Sequence, residues 1–243
     1  MNSIVLVTGG SRGIGAATSI YLAKQGYSVC VNYISNENEA NKVVAEIESN
    51  GGKAIAVQAD VSKEEDVIQL FNTIDQTLGS ITHLVNNAGI LLPQMRVSEM
   101  TADRINKVLT TNITGYFLCC REAINRMVTG GAIVNVSSAA SRLGSPSEYV
   151  DYAASKGAID TLTKGLSLEV ADSNIRVNCV RPGFIYTDMH ADGGEANRIE
   201  RVKSLIPLQR GGKPEEVAAS IAFLLSNEAA FITGTFIDVT GGK

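Results

Sequence analysis

Tyr152 and Lys156 stand four residues apart in Tyr152-Ala-Ala-Ser-Lys156. On a helix that spacing puts both side chains on one face. An ammonium beside a phenol favours the phenolate, and so lowers a tyrosine pKa from its ordinary value of about 10. A phenol adjusted in this way gives and takes protons near neutral pH. Ser137 and Ser138 end the apolar run that precedes this pair, and a serine hydroxyl there can hold a reacting oxygen. Tyr149 is close by, but the residue four beyond it is Ala153, so it has no ammonium partner of its own.

A second chemical signal lies near the amino terminus. The run Ile4–Thr8 passes into Gly9-Gly10-Ser11-Arg12-Gly13-Ile14-Gly15 and then into a helical pattern. Glycines between a strand and a helix permit a tight turn and let backbone N–H groups approach a phosphate, with the helix dipole favouring the anion. The second apolar run ends Asn32-Tyr33-Ile34-Ser35. A site for NAD usually carries an acid here for the ribose hydroxyls, and none occupies positions 32 to 35. Arg12, inside the glycine loop, can pair with a 2′-phosphate in bidentate fashion. Together these favour NADP(H), with NAD(H) as the alternative. Asn86-Asn87-Ala88-Gly89 follows the fourth run; it reads equally as a strand-end turn or as a surface facing a cofactor.

These residues need elements to hold them. Seven short β-branched runs fit strands: 4–8, 28–33, 54–58, 82–85, 132–136, 175–180 and 235–239. Most are apolar throughout, as in a parallel sheet covered on both faces. Between them lie helical patterns over 13–25, 37–50, 63–78, 101–128, 152–171 and 214–226. Ser62 with Glu65 three residues on predicts a capping box; Thr101 and Lys213-Pro214 read as further helix starts. The alternation predicts an α/β fold, a Rossmann-like doubly wound sheet. Residues 1–243 read as one domain, with the polar stretch at about 187–210 as a lid over a substrate.

Composition excludes other classes. The chain has 243 residues, 44% of them hydrophobic, and a net charge of −4. That is too apolar for disorder, and 21 Lys+Arg against 25 Asp+Glu without a basic run argues against nucleic acid. No stretch approaches the ~20 apolar residues of a membrane span. The start, Met1-Asn2-Ser3-Ile4, has no basic region or cleavage site of a signal peptide, so a cytoplasmic location is expected. Four cysteines without framework spacing read as core thiols, and two histidines without ligand spacing argue against a metal.

The order of glycine loop, Asp60-Val61, Asn86-Asn-Ala-Gly89, Asn112, Ser138, Tyr152-x3-Lys156 and Pro182-Gly183 resembles the short-chain dehydrogenases/reductases over essentially the whole chain. The stretch 148–194 is especially similar to uncharacterised bacterial oxidoreductases near the 3-oxoacyl-carrier-protein reductases and glucose dehydrogenases. The resemblance implies a seven-stranded parallel sheet, a homotetramer, and a small-molecule carbonyl or alcohol substrate. It implies Tyr152 as general acid/base and Lys156 as the group that lowers its pKa and binds the nicotinamide ribose. Ser138 would orient the substrate oxygen, and Asn112 would hold a relay water. Gly9, Ser11, Arg12, Gly13, Ile14 and Gly15 would border the phosphates and adenosine. Asn32, Asp60, Val61, Asn87, Ala88 and Gly89 would flank the adenosine, and Pro182, Gly183, Ile185 and Thr187 the nicotinamide end. The Ser138-to-Tyr152 segment is one residue longer than in the carrier-protein reductases, within 144–150. No basic cluster near the expected mouth demands an acidic carrier protein, although Arg142, Arg198, Arg201 and Lys203 could contribute to one. Two rival readings are an NAD-linked sugar or alcohol dehydrogenase and a nucleotide sensor without chemistry; the intact Ser, Tyr, Lys and Asn set argues against the sensor.

Overall fold

The computed structural model describes residues 3–128 and 130–243; Met1, Asn2 and Thr129 lie outside the described residues. Seven strands form one parallel sheet: β1 Ile4–Val7, β2 Ser28–Tyr33, β3 Lys53–Gln58, β4 His83–Asn86, β5 Gly131–Val136, β6 Ile175–Pro182 and β7 Phe236–Val239. Their order is β3-β2-β1-β4-β5-β6-β7. β1 therefore pairs on one side with β2 (Val5↔Val29) and on the other with β4 (Val5↔His83). At that point the winding reverses, and the crevice beyond the carboxyl ends of β1 and β4 is where such sheets take ligands.

The sheet is covered on both faces. Val5 and Val7 pack with Leu22 of α1 (Gly13–Lys24), Val43 of α2 (Glu37–Ser49) and Ile221 of α10 (Pro214–Leu225). Ile4 and Leu6 point the other way, against Leu70 and Phe71 of α3 (Glu64–Thr77), Cys120 of α5 (Gly115–Ile124) and Leu166 of α7 (Val150–Glu169). Period-two alternation thus sends every second side chain to one of two cores, which is why the strand sequences read as continuously apolar. All four cysteines lie in this interior as free, buried thiols.

Predicted strands and helices match to within two residues, with one exception. The pattern at 101–128 is not a single helix. It is α4 (Ala102–Leu109), a π turn over Thr110–Thr114, then α5, which ends at Ile124. The wider turn swings the Asn112 carboxamide inward, where Oδ1 accepts from Ile90 N at 2.8 Å and Nδ2 donates to Ile90 O at 3.0 Å and Ser155 Oγ at 3.2 Å. Such π turns recur where a functional side chain must leave the helical register. Gly115 follows because a Cβ there would sit 3.0 Å from Val61 O.

The capping box at Ser62 and Glu65 does not form. Ser62 gives both its N–H (3.0 Å) and its hydroxyl (2.6 Å) to Asp60 Oδ1, so a charged acceptor takes the group that would have capped α3. The other helix starts hold: Thr101 Oγ1 accepts from Arg104 N at 3.3 Å, and Lys213 N donates to Glu216 Oε2 at 2.7 Å ahead of Pro214. Between β6 and α10 the chain adds α8 (Met189–Asp192) and α9 (Arg198–Val202), and α6 (Ala140–Leu143) follows β5.

Candidate active site

The glycine loop leaves β1 and starts α1 by way of Gly9 and Gly13, both with positive φ (60° and 53°). A Cβ on Gly15 would lie 2.1 Å from Gly9 O, so strand end and helix start approach as only glycine allows. Asn32 and Asn87 pin the loop from either side. Asn32 Oδ1 accepts from Gly9 N at 3.2 Å, and Asn87 Nδ2 donates to the carbonyls of Thr8 (2.9 Å) and Gly9 (3.1 Å). The two asparagines of Asn86-Asn87 therefore differ: Asn86 is buried and bonds Asn135 Oδ1 at 3.0 Å, while Asn87 faces the crevice.

Gly9, Ser11, Arg12, Gly13, Ile14, Asn32, Asp60, Val61, Asn87, Ala88, Gly89 and Thr187 line one cleft of about 980 Å³. Gly15 stands behind it. Sequence reasoning did not name Tyr33, Ile34, Ala59, Ile90, Thr111 and Asp188 on the same walls; all but Ile34, two residues beyond Asn32, adjoin a site residue it had named. Arg12 is engaged by the 187–210 segment, its Nη2 lying 2.9 Å from Asp192 Oδ2 with both groups well exposed.

A second cleft, of about 870 Å³, shares Ile14, Asn87, Thr187 and Met189 with the first. Ser138, Tyr152, Lys156, Pro182, Gly183 and Ile185 line it. The two serines part company here. Ser137 Oγ donates to Lys156 O at 3.0 Å and is buried; Ser138 Oγ accepts from Ala140 N at 3.1 Å, donates to Pro182 O at 3.5 Å and shares the cleft with Tyr152. Asn112 lines neither cleft and is wholly buried behind Gly89, where a Cβ would meet Asn112 Oδ1 at 3.4 Å and Lys156 Nζ at 3.6 Å. It reaches α7 through Ser155, whose hydroxyl donates to Tyr152 O at 2.6 Å.

The expected depression of the Tyr152 pKa is absent. Burial pushes the phenol up to about 12, and the neighbouring Ser138 hydroxyl offsets this only in part. The reason is where the ammonium points: Lys156 Nζ donates to Val136 O at 2.8 Å and Tyr116 OH at 3.2 Å, and lies 5.6 Å from the Tyr152 ring centre. Burial in turn lowers Lys156 to about 8. Tyr149 is occupied elsewhere, its hydroxyl donating to Gly193 O at 3.0 Å.

The far wall is a charged strap over apolar surface. Gly144, Ser145 and Ser147 all have positive φ, and the sharp path brings Glu148 to Arg198 of α9. Arg198 also meets Glu195 at 3.0 Å and lies 4.9 Å from the Tyr149 ring centre. Arg201 bonds Glu195 at 2.5 Å. Inside, Leu91, Ala139, Leu143, Phe184 and Met189 face the space above Tyr152.

Comparison with known proteins agrees with this geometry. The family model described as Enoyl-(Acyl carrier protein) reductase, one of the short-chain dehydrogenase/reductase group, matches residues 9–243. The chain belongs to the short-chain dehydrogenase/reductase family. An uncharacterised oxidoreductase of Escherichia coli strain K12, YgfF, is 63% identical, with 99% of this chain and 100% of that protein aligned. A 3-oxoacyl-[acyl-carrier-protein] reductase of a Synechocystis strain is 43% identical over 98% of this chain and 96% of its own. The crystal structure of a dehydrogenase/reductase from Sinorhizobium meliloti 1021 superposes with a TM-score of 0.93 at 34% identity, covering 99% of this chain and 94% of that one. The protein is thus an oxidoreductase of this family, and the family uses a nicotinamide cofactor. No helix among the described residues is long and apolar enough to cross a membrane, and among them no group of three His, Cys, Asp or Glu side chains is arranged for a metal ion.

Proposed function

We propose that this chain is an NADP(H)-dependent oxidoreductase acting on a neutral, largely apolar ketone or aldehyde and the corresponding alcohol, with Tyr152 as general acid/base. The observation that carries the reading is the continuity of the two clefts: the glycine loop borders one, Ser138, Tyr152 and Lys156 border the other, and Ile14, Asn87, Thr187 and Met189 belong to both. The cradle at Gly9, Gly13 and Gly15, which a Cβ at position 15 would fill, suits a pyrophosphate on the start of α1. Asp60 and Asn87 would flank the adenosine, and Lys156 and Thr187 the nicotinamide end. When bound, the nicotinamide supplies or accepts the hydride.

The chain's own residues handle the proton. With its phenol held near 12, Tyr152 is protonated at neutral pH, the state that donates to the oxygen of a carbonyl being reduced. Ser138 lines the same cleft, where its hydroxyl would hold the reacting oxygen together with the phenol. Apolar walls suit an uncharged substrate. The cations at the mouth are all paired: Arg142 with Asp238 at 2.7 Å, Arg198 and Arg201 with Glu148 and Glu195, and Lys203 with Glu200 at 2.5 Å. That argues for a free small molecule over a substrate carried on an acidic protein. A homotetramer follows from the family resemblance as a further expectation, beside the cytoplasmic location expected from the sequence.

NADP preference rests on Arg12, which must leave Asp192 to meet a 2′-phosphate. NADPH and NADH oxidation over a panel of neutral ketones and aldehydes tests the whole reading, with Arg12→Ala as the cofactor arm. Loss of one charge-assisted contact should weaken NADPH binding by roughly ten- to a hundredfold and leave NADH unchanged. Equal or tighter NADH binding by the natural chain would overturn the preference. Tight NADPH binding with silence across the panel would favour a sensor.

A further inference from the structure

Tyr116 sits on the first turn of α5, two residues beyond the π turn that swings Asn112 inward. It is among the largest fully buried side chains of the molecule. Its hydroxyl donates to Val136 O at 2.9 Å, so only its lone pairs remain, and Lys156 Nζ donates into them at 3.2 Å. Val136 O also accepts from Lys156 Nζ at 2.8 Å. The three atoms close a triangle, and the Tyr116 ring centre lies 5.1 Å from the same Nζ.

We propose that Tyr116 is a positioning residue: its buried phenol anchors the Lys156 ammonium to the end of β5 and leaves a single N–H of that ammonium for the nucleotide cleft. The inference rests on the reading of Lys156 given above. An ammonium has three donors; Val136 O and Tyr116 OH take two. The remaining one is left for the cleft that Lys156 lines, where it would serve the nicotinamide ribose. The anchor also has a chemical sense, because an acceptor that cannot donate stabilises the charged form of its partner.

Other groups face the same ammonium. They are Tyr152 and Asp160 from α7 itself and Cys179 from β6. Asp160 is held by Arg181 at 3.0 Å, and the Cys179 thiol is pushed up to about 12 by burial. Neither supplies a hydrogen bond to Nζ, which leaves the phenol as the side-chain anchor.

The test is Tyr116→Phe in the full chain without nucleotide, read by the 15N NMR titration of the lysine Nζ signals, with Lys156 assigned by its disappearance in Lys156→Met. Losing one hydrogen bond to a charged group should lower the Lys156 midpoint by about one pH unit, a tenfold change in protonation ratio. The alkaline limb of NADPH binding should move by the same amount. A midpoint unmoved in a folded Tyr116→Phe protein would overturn the proposal, whatever the change in melting temperature. If the phenylalanine variant does not fold, Tyr116→Met, which refills the space without a hydroxyl, is read the same way. The functional reading fails separately: Lys156→Met with normal turnover would remove Lys156 from the mechanism but leave the titration result standing.

Discussion

On the glycine-loop side of the crevice, geometry is set by backbone; on the side of the 187–210 segment, it is set by charge. Gly15 brings strand end and helix start together at a distance no side chain permits, Gly9 and Gly13 turn the chain at positive φ, and Asn32 and Asn87 lock the loop. The opposite wall is held by guanidinium–carboxylate pairs between α9, Glu195 and Glu148, with one hydrogen bond from Tyr149 to Gly193. A backbone cradle has one shape, which suits a cofactor that is always the same. A wall held by ion pairs could open by separating a few side chains, which would suit the admission and release of a substrate.

The contrast can be broken from either side. The largest effect is expected from Gly15→Ala. Its Cβ would meet Gly9 O at 2.1 Å, so the loop must move by about an ångström, and NADPH affinity should fall by roughly a hundredfold or more. Fluorescence titration checks this; affinity within threefold would show that the cradle is softer than described. Next comes Arg198→Met, which leaves Glu148 and Glu195 to the more exposed Arg201 alone. Losing charge-assisted hydrogen bonds from the Arg198 guanidinium costs about 1.5 kcal/mol, so amides of 189–205 should exchange hydrogen roughly tenfold faster while those of β1 and α1 do not change. Equal protection throughout would mean that the strap does not hold the segment.

A smaller, global effect separates both regions from the scaffold. Burial lowers His83, at the other end of β4, to about 4. Its unfolded value is about 6.5, so as pH falls below that the unfolded chain takes the proton first. Stability should therefore decline between pH 6.5 and 4, by up to about 3 kcal/mol, and both regions should be lost together. Denaturant unfolding of His83→Gln should show a flatter profile over that window; an unchanged slope would assign the acid sensitivity elsewhere.

The same division explains what the sequence disclosed. The strands, the glycine loop and the Tyr152–Lys156 spacing are local patterns, and they could be read from residue order alone. The π turn at Asn112 could not, because Thr110–Thr114 carries no breaker and the register changes for the sake of Ile90 and Ser155, far away in the chain. Ser62 satisfied a capping rule and lost to a nearer carboxylate. The Tyr152 pKa went the opposite way because helical spacing says which face a lysine occupies, not that its ammonium turns to Val136 and Tyr116. The Glu148–Arg198 strap joins segments 50 residues apart, beyond any local signal.

The central claim is that the Tyr152 phenol moves the proton. Turnover of Tyr152→Phe, on a carbonyl that the natural chain reduces with NADPH, tests it most directly. The account predicts a loss of roughly 10²–10⁴-fold with NADPH affinity within twofold of the natural chain. Near-normal turnover would contradict it.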